Sequence, residues 1–564
     1  MSEPVVVTAA EPVPPPRPGK PWWVRHYTFT GTAFGVAFLW LSLTPSLLPR
    51  GPLFQGLVSG ASGAVGYGLG VFAVWLVRYL RSADSSPAAP RWAWALLVPI
   101  AVAGIVGMNF WFHVWQDRVR DLMGVAHLSW TAYPWAALLS VIVLYSLVEI
   151  GQLIRRLTRS LAGQLNRVAP PRVSAVATVA LLVALVVALL NGVVVKVAMR
   201  TMNHTFAALN NEMDNHTAPP DSPHRSGGPG SLASWPSLGR EGRVFIEGGP
   251  TVAQLTAFNR SPALEPIRAY AGLKSADGID ATAELAAREL ERAGGLERDV
   301  IAVATTTGTG WVNEAHSSAL EYMFNGNTAI VSMQYSFLPS WLSFLVDKEN
   351  ARQAGRALFE AVDARVRALP ETKRPKIVVF GESLGSFGGE APFMGLNNVL
   401  ARTDGAVFTG PTFQNTIWTE LTAHRDPGSP MVLPVYHDGQ HARFASRPGD
   451  LTRPSAPWAS PRVVYLQHAS DPIAWWNPDL LFRKPDWLGE PRGYDVLPEV
   501  QWKPIVTFFQ VSADMAVAID VPSGHGHHYT EDVADAWAAV LQPPGWGPQQ
   551  TAKLRGILHD GQAD

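Results

Sequence analysis

The sequence predicts an α-helical transmembrane bundle followed by an α/β domain, in which a mostly parallel sheet has helices on both faces. Residues 23–202 contain long apolar segments, whereas the later part has the polarity of a soluble domain. In that later part, strand-like and helix-like segments alternate, which is typical of a parallel sheet whose helices cross between strands. A chain of 564 residues is also too long for one compact domain.

Composition divides the chain into five parts. A proline-rich tail (1–22) precedes the membrane domain (23–202). A linker rich in Pro, Gly, Ser and His (203–243) then leads to the α/β domain (244–545). Residues 546–564 are expected to form a C-terminal tail.

Five apolar segments in the membrane domain are long enough to cross a bilayer, because a spanning helix needs roughly 20 apolar residues. Tryptophans lie near several of the expected ends, as in an interfacial aromatic belt. The five expected spans are 28–48, 57–80, 92–114, 135–154 and 173–198.

The Lys and Arg residues of the connecting loops predict the orientation of these spans. The N-terminal flank, the second loop (Arg78, Arg81 and Arg91) and the fourth loop are rich in Arg. The first loop has only Arg50, and the third balances its Arg residues with Asp. Since positive loops stay in the cytoplasm, the N-terminus is expected there. Five crossings then place the α/β domain outside the cytoplasm.

Charge and cysteine content restrict the kinds of partner and cofactor. The net charge is −1, so no global field favours nucleic acid. The chain has no cysteine, which excludes disulfides and thiolate metal sites. We expect neither a cofactor nor a metal, and the expected partners are the lipid bilayer and an acyl ester or lipid substrate. The sequence indicates no oligomeric state.

Short β-branched runs separated by helical spacing give the order of elements in the α/β domain. Helices are predicted over 280–292, 350–369 and 531–541. Strands are predicted over 300–304, 328–333, 376–380, 406–409 and 463–466, and the apolar run 505–510 is expected to be the last strand.

The most informative motif lies at 381–385 and reads GESLG, directly after the predicted strand 376–380. A G-x-S-x-G sequence after a strand describes a nucleophile elbow, in which the chain turns so sharply that small residues must flank the serine. Ser383 is therefore the candidate nucleophile.

A serine hydroxyl needs a base, and the base needs an acid that holds it in the right tautomer. In α/β-hydrolases the acid and then the histidine follow the serine along the chain. Asp471, just beyond a predicted strand, is the candidate acid, and its alternative role is to cap the helix that begins at Pro472. Asp404 also follows Ser383, but it leads into a strand and is a poorer candidate.

Three histidines compete for the role of the base in the glycine-rich segment 523–529. We prefer His525, because it leaves a loop long enough to reach back to Ser383, and His527 is the alternate base. A zinc site is another interpretation of the cluster, but no H-E-x-x-H or equivalent ligand set is present.

An oxyanion hole uses backbone N–H groups directed at the developing negative charge. Leu384, the residue after the nucleophile, is the first candidate donor. The second donor is placed at Thr309 or Gly310, in the glycine-containing loop after the strand 300–304.

Two segments around the candidate acid are open to more than one interpretation. Residues 411–462 have no clear elements and form either a lid, an acyl-binding wall or a structural excursion. Trp475 and Trp476 either line an apolar pocket or pack against the sheet.

The elbow and three shorter motifs, behind a multi-span N-terminal region, resemble the actinobacterial membrane-bound α/β-hydrolase family. The resemblance covers most of the chain, from the segment LTPSLLPR at 43–50 to the closing helix. It implies an α/β-hydrolase fold behind a helical membrane domain, with Ser383, Asp471 and a histidine of the 525–527 pair as the catalytic triad. It implies little about the substrate. The shorter motifs are Gly308–Trp311, Ser470–Pro472 and Gly524–His527.

The sequence therefore predicts a membrane-anchored serine hydrolase, an esterase or lipase-like enzyme that forms an acyl-enzyme on a lipid-like ester or thioester. An acyltransferase of the cell envelope would use the same residues. A transporter is a weaker hypothesis, because the membrane half has few charged or broken helices. A non-catalytic binding module is disfavoured by the intact Ser, Asp and His.

Overall fold

The computed structural model describes residues 27–82, 89–165, 218–338 and 348–561, together with residues 170, 180, 210 and 343. The proline-rich tail lies outside these residues. So do nearly all of the fifth predicted span (173–198) and of the first part of the predicted linker.

Among the described residues, four helices form the N-terminal bundle, and glycines allow them to approach closely. Gly35 of the first helix faces Gly63 of the second, and a Cβ atom on Gly60 would lie 2.4 Å from Val143 of the fourth. Small residues at such contacts are typical of helices packed in lipid. The helices are α1 (Phe29–Ser42), α2 (Pro52–Leu80), α3 (Arg91–Met123) and α4 (Ala132–Leu165).

Three of these helices are long and apolar enough to cross a membrane: Pro52–Leu80, Arg91–Met123 and Ala132–Leu161. The first predicted span, 28–48, is shorter than expected, because α1 ends at Ser42. Pro45 cannot continue the helical hydrogen bonds and disfavours the helical conformation of the residue before it. The total of five crossings stays a prediction.

A seven-stranded, fully parallel sheet forms the centre of the second domain, in the order β1-β3-β2-β4-β5-β7-β6. Its strands are almost completely buried, which explains their continuous Val, Ile and Ala runs. The outer strands β1 and β6 were not predicted. The strands are β1 (Ile267–Ala271), β2 (Val300–Thr305), β3 (Thr328–Met333), β4 (Lys376–Glu382), β5 (Gly405–Thr409), β6 (Ala442–Ala445) and β7 (Arg462–Leu466).

Helices cover both faces of this sheet, as predicted. One core contains residues of α7 and α9, and the other contains residues of α8 and α15. The helices are α5 (Gly239–Glu247), α6 (Val252–Asn259), α7 (Ile279–Arg292), α8 (Glu314–Met323), α9 (Lys348–Ala368), α10 (Leu384–Glu390), α11 (Leu396–Arg402), α12 (Thr416–Ala423), α13 (Pro472–Trp475), α14 (Val506–Asp514), α15 (Asp532–Leu541) and α16 (Pro548–Asp560).

Three segments differ from the sequence prediction. The run 505–510 is not a strand but the first part of α14, where it packs between the bundle and the α/β domain. The second part of the predicted linker is folded, because Trp235 and Leu238 are buried in the core. The predicted tail 546–564 contains α16, whose Leu554 and Leu558 are also buried.

Residues 43–50, which we call the docking segment, join the bundle to the α/β domain. Leu47 and Leu48 lie in the same core as the main sheet, together with Val119 and Met123 from the end of α3. The α/β domain therefore sits on the end of the bundle where α1 and α3 finish and α2 and α4 begin.

Candidate active site

Ser383 lies in a strained turn between β4 and α10. Its φ of 56° and ψ of −121° are rarely adopted by a residue with a side chain. A Cβ atom on Gly381 would lie 2.3 Å from the carbonyl oxygen of Gly385, and one on Gly385 would lie 2.3 Å from that of Thr305. Only glycine fits at both flanking positions, which is the requirement that the GESLG motif indicated.

Asp471 holds a histidine and caps a helix at the same time. Its Oδ2 lies 2.7 Å from Nδ1 of His527 and accepts a hydrogen bond of 2.8 Å from the Tyr529 hydroxyl. Its Oδ1 accepts from the backbone N–H of Ile473 at 2.8 Å, at the start of α13. The two interpretations of Asp471 are compatible, because each uses a different carboxylate oxygen.

The structure places His527, rather than the preferred His525, against the candidate acid. Nδ1 of His525 lies 3.8 Å from Asp495, outside hydrogen-bonding distance. The backbone decides this choice: Gly526 has a φ of 54°, and a Cβ atom there would lie 2.5 Å from the carbonyl oxygen of Ala518. Because the chain turns at Gly526, the side chains of His525 and His527 point in different directions. The sequence does not reveal this turn.

Ser383 and His527 line the same cavity, of about 770 Å³. Both residues are nearly buried, with exposures of 7% and 5%. Within the described part of the chain, Nε2 of His527 is buried without a hydrogen-bond partner, so it is available to a hydroxyl group. Much of the remaining lining is apolar and comes from Ile473, Trp476, Met515, Ala516, Ala518 and Ile519.

The cavity wall comes from a different part of the chain than the lid hypothesis expected. Residues 411–462 do not line the cavity; they contain α12 and the edge strand β6. The segment after Asp471 does contribute, since Trp476 lines the cavity and its indole N–H donates to Ser512. Trp475 is buried beside Trp418 and Trp487 instead.

Hydrogen bonds within the loop 305–311 leave fewer backbone N–H groups free to donate to an oxyanion. The N–H of Gly310 donates to the carbonyl of Thr307 at 3.1 Å, so it is already used within the turn. Thr309 lines the cavity, and it is the remaining candidate of the predicted pair. Leu384 opens α10, where the first N–H groups have no partner within the helix.

Glu382 and Asn313 belong to this site but were not singled out from the sequence. The Asn313 amide donates to Glu382 Oε2 at 2.5 Å and to the Tyr529 carbonyl at 3.0 Å. Glu382 occupies the variable position of the elbow motif, so the motif does not single it out. Its buried position beside His527 is visible in the structure and not in the sequence. Burial raises the pKa of Glu382, against the opposing charge of His527.

The protonation of His527 depends on both neighbouring carboxyl groups. Burial opposes the charged imidazolium, but the charge and hydrogen bond of Asp471, with the charge of Glu382, outweigh it and raise the pKa of His527 above 6.5. A general base must be neutral, so activity should fall as the pH decreases through this raised pKa.

Replacing Glu382 by Gln should move the acid side of the pH–activity profile to lower pH. The substitution removes one of the charges that raise the pKa of His527 while keeping a similar shape. The measurement is the pH dependence of kcat/KM for wild type and Glu382→Gln, with the exposed Glu371→Gln as the control. An unchanged or upward-shifted acid limit in Glu382→Gln would contradict this electrostatic role.

The arrangement is suited to acyl transfer. Among the described residues, no group of three or more His, Asp or Glu side chains is placed to hold a metal ion. A serine at an elbow and a carboxylate-held histidine line one cavity, which is the arrangement that nucleophilic catalysis requires.

The parallel sheet, the elbow after its fourth strand and the histidine–carboxylate pair define an α/β-hydrolase fold. Residues 267–554 match the family described as the Alpha/beta-hydrolase family, and residues 43–250 match its N-terminal region. The chain belongs to the Alpha/beta-hydrolase family. No curated protein and no solved structure matches the chain.

Proposed function

We propose that this protein is a membrane-anchored serine hydrolase that forms an acyl-enzyme on Ser383. The observation that carries this proposal is the strained Ser383 in the same cavity as the His527–Asp471 pair. His527 Nε2 would take the hydroxyl proton as Ser383 attacks the acyl carbonyl, and Asp471 would stabilise the imidazolium that results. Leu384 and Thr309 are the proposed donors to the oxyanion.

The bundle supports a membrane location with the catalytic domain outside the cytoplasm. Exposed Trp92 and Trp111 lie about 28 Å apart along α3, close to the thickness of a hydrocarbon core. The bundle end away from the α/β domain carries several arginines, which favours the cytoplasmic side for that end. These arginines are Arg78, Arg81, Arg91, Arg155, Arg156 and Arg159.

The apolar walls favour an ester or thioester with a hydrocarbon chain as the substrate. A cavity of about 770 Å³ accommodates an acyl chain, and burying each methylene contributes about 0.8 kcal/mol. An alcohol could replace water in the second step, so an acyltransferase remains the alternative with the same residues.

Labelling with a fluorophosphonate probe tests the proposal, because such probes react with activated serines. Membranes containing wild type should label, Ser383→Ala should lose essentially all labelling, and the exposed surface serine variant Ser455→Ala should label like wild type. Labelling that survives in Ser383→Ala, or a folded wild type that never labels, would refute an activated Ser383.

A further inference from the structure

The helix α1 is too short to reach the bilayer surface beside the α/β domain. Its 14 residues span about 21 Å, against a hydrocarbon core of about 30 Å. Its first residue, Phe29, packs on Trp94, near the end of α3 that lies away from the α/β domain. Trp40, near the other end of α1, packs on Gly104. The end of α1 therefore lies below the level of Trp111, within the leaflet nearer to the α/β domain.

Helix α14 of the α/β domain lies beside the end of α1. The Gln510 side chain donates to the carbonyl of Ser42 at 3.2 Å and to that of Thr44 at 2.8 Å. Backbone carbonyls at membrane depth need internal partners, because lipid supplies none. A helix of the catalytic domain thus satisfies the end of a membrane helix, which requires α14 to lie at the same depth.

Two large apolar side chains are exposed on the α/β domain near the two ends of α14. Phe482 follows Leu481, whose carbonyl accepts a hydrogen bond from Ile505 at the start of α14, and Phe482 is 75% exposed. Ile519, five residues after the end of α14, is 68% exposed. The helix with the next turn, Val506–Val517, is itself an apolar segment. Such apolar surface is costly in water and favourable in lipid.

The other side of α14 borders the active-site cavity. Ser512, Met515, Ala516 and Ile519 all line the cavity that holds Ser383. The same short segment therefore separates the candidate nucleophile from the end of the membrane bundle, and Ile519 is both a wall residue and an exposed residue.

We infer that α14 and residues 515–519 are seated in the lipid leaflet nearer to the α/β domain, and that the cavity opens towards this leaflet. A bilayer-resident acyl lipid then enters sideways, with its chain passing from lipid to the apolar wall without crossing water. The substrate route rests on the proposed function, whereas the position of the segment in lipid does not.

The natural absence of cysteine allows a direct test of this position. Single variants Ile519→Cys and Ala516→Cys carry an environment-sensitive dye, and Met394→Cys is the control, since Met394 is 97% exposed on the same domain. The full-length proteins are reconstituted into phosphatidylcholine vesicles. Dye quenching is compared between nitroxide-labelled lipid and aqueous iodide.

The expected result is a ratio of lipid to iodide quenching at least fivefold higher at positions 516 and 519 than at 394. A ratio at both positions that is less than fivefold above that at Met394 would overturn the inference. The readout needs no turnover and can be repeated in Ser383→Ala. Because positions 516 and 519 line the cavity, turnover is measured on the unlabelled wild type. An inactive wild type with lipid-quenched dyes in the variants would therefore defeat the proposed function alone, and an active wild type with iodide-quenched dyes would defeat this inference alone.

Discussion

Replacing His527 by Ala should reduce the rate of fluorophosphonate labelling and of ester turnover by on the order of 10⁴-fold or more, whereas His525→Ala should cost less than about tenfold. The difference follows from geometry. His527 has the 2.7 Å contact with Asp471 and a buried, unpaired Nε2 within the described structure, whereas Nδ1 of His525 lies 3.8 Å from Asp495.

The acid provides an independent check on the same pair. Asp471→Asn keeps the shape of the side chain and can still cap α13, but it removes the charge that orients and stabilises the protonated His527. Turnover should fall by about 10⁴-fold while the thermal stability changes far less. Turnover lost in His525→Ala but retained in His527→Ala would contradict the assignment of the base.

The elbow and the parallel sheet could be predicted because they depend on local sequence. The strand 376–380 and the glycines at 381 and 385 impose their geometry on neighbours a few residues away, whatever the rest of the chain does. The candidate acid, Asp471, was also chosen from its position after a strand, and in the structure it contacts His527. The match to the Alpha/beta-hydrolase family confirms the fold of this part of the prediction.

The histidine that contacts Asp471 and the cavity wall could not be predicted in the same way. His525 and His527 have almost identical sequence surroundings, and the turn at Gly526 that separates them depends on contacts with Ala518 and Leu48. The run 505–510 is apolar in a manner that suits a buried strand. It forms a helix, in which Gln510 contacts the end of α1, more than 460 positions away in the sequence. Such long-range contacts leave no local periodicity to detect.

The second large effect is expected at the buried ion pair between the docking segment and α14. Asp514→Asn should lower the free energy of unfolding by about 3–5 kcal/mol, because it leaves the Arg50 charge buried without a counter-charge. Nε of Arg50 lies 3.3 Å from Asp514 Oδ1, and both side chains are fully buried. Within the described structure, the guanidinium group has no hydrogen-bond partner, so the carboxylate charge is its main compensation.

The opposite variant, Arg50→Met, should be milder, because Asp514 can change its protonation whereas Arg50 cannot. Burial raises the pKa of Asp514, against the charge of Arg50 and the hydrogen bonds from Ser46 and Leu47. Without Arg50, the carboxyl group can take up a proton and stay neutral. The measurement is thermal unfolding in detergent micelles, with the exposed Asp520→Asn as the control, which should change stability by less than about 0.5 kcal/mol.

The order of these effects separates two explanations of how the domains are attached. If the apolar contacts of Leu47 and Leu48 alone hold the α/β domain on the bundle, Asp514→Asn and Asp520→Asn should be equally mild. A large loss in Asp514→Asn, a smaller loss in Arg50→Met and near-neutral Asp520→Asn would show that the Asp514 carboxylate compensates the buried charge of Arg50 between α14 and the docking segment. Because α14 also walls the cavity, turnover at a temperature where Arg50→Met remains folded should then fall as well, since a shifted wall misplaces the acyl chain relative to Ser383.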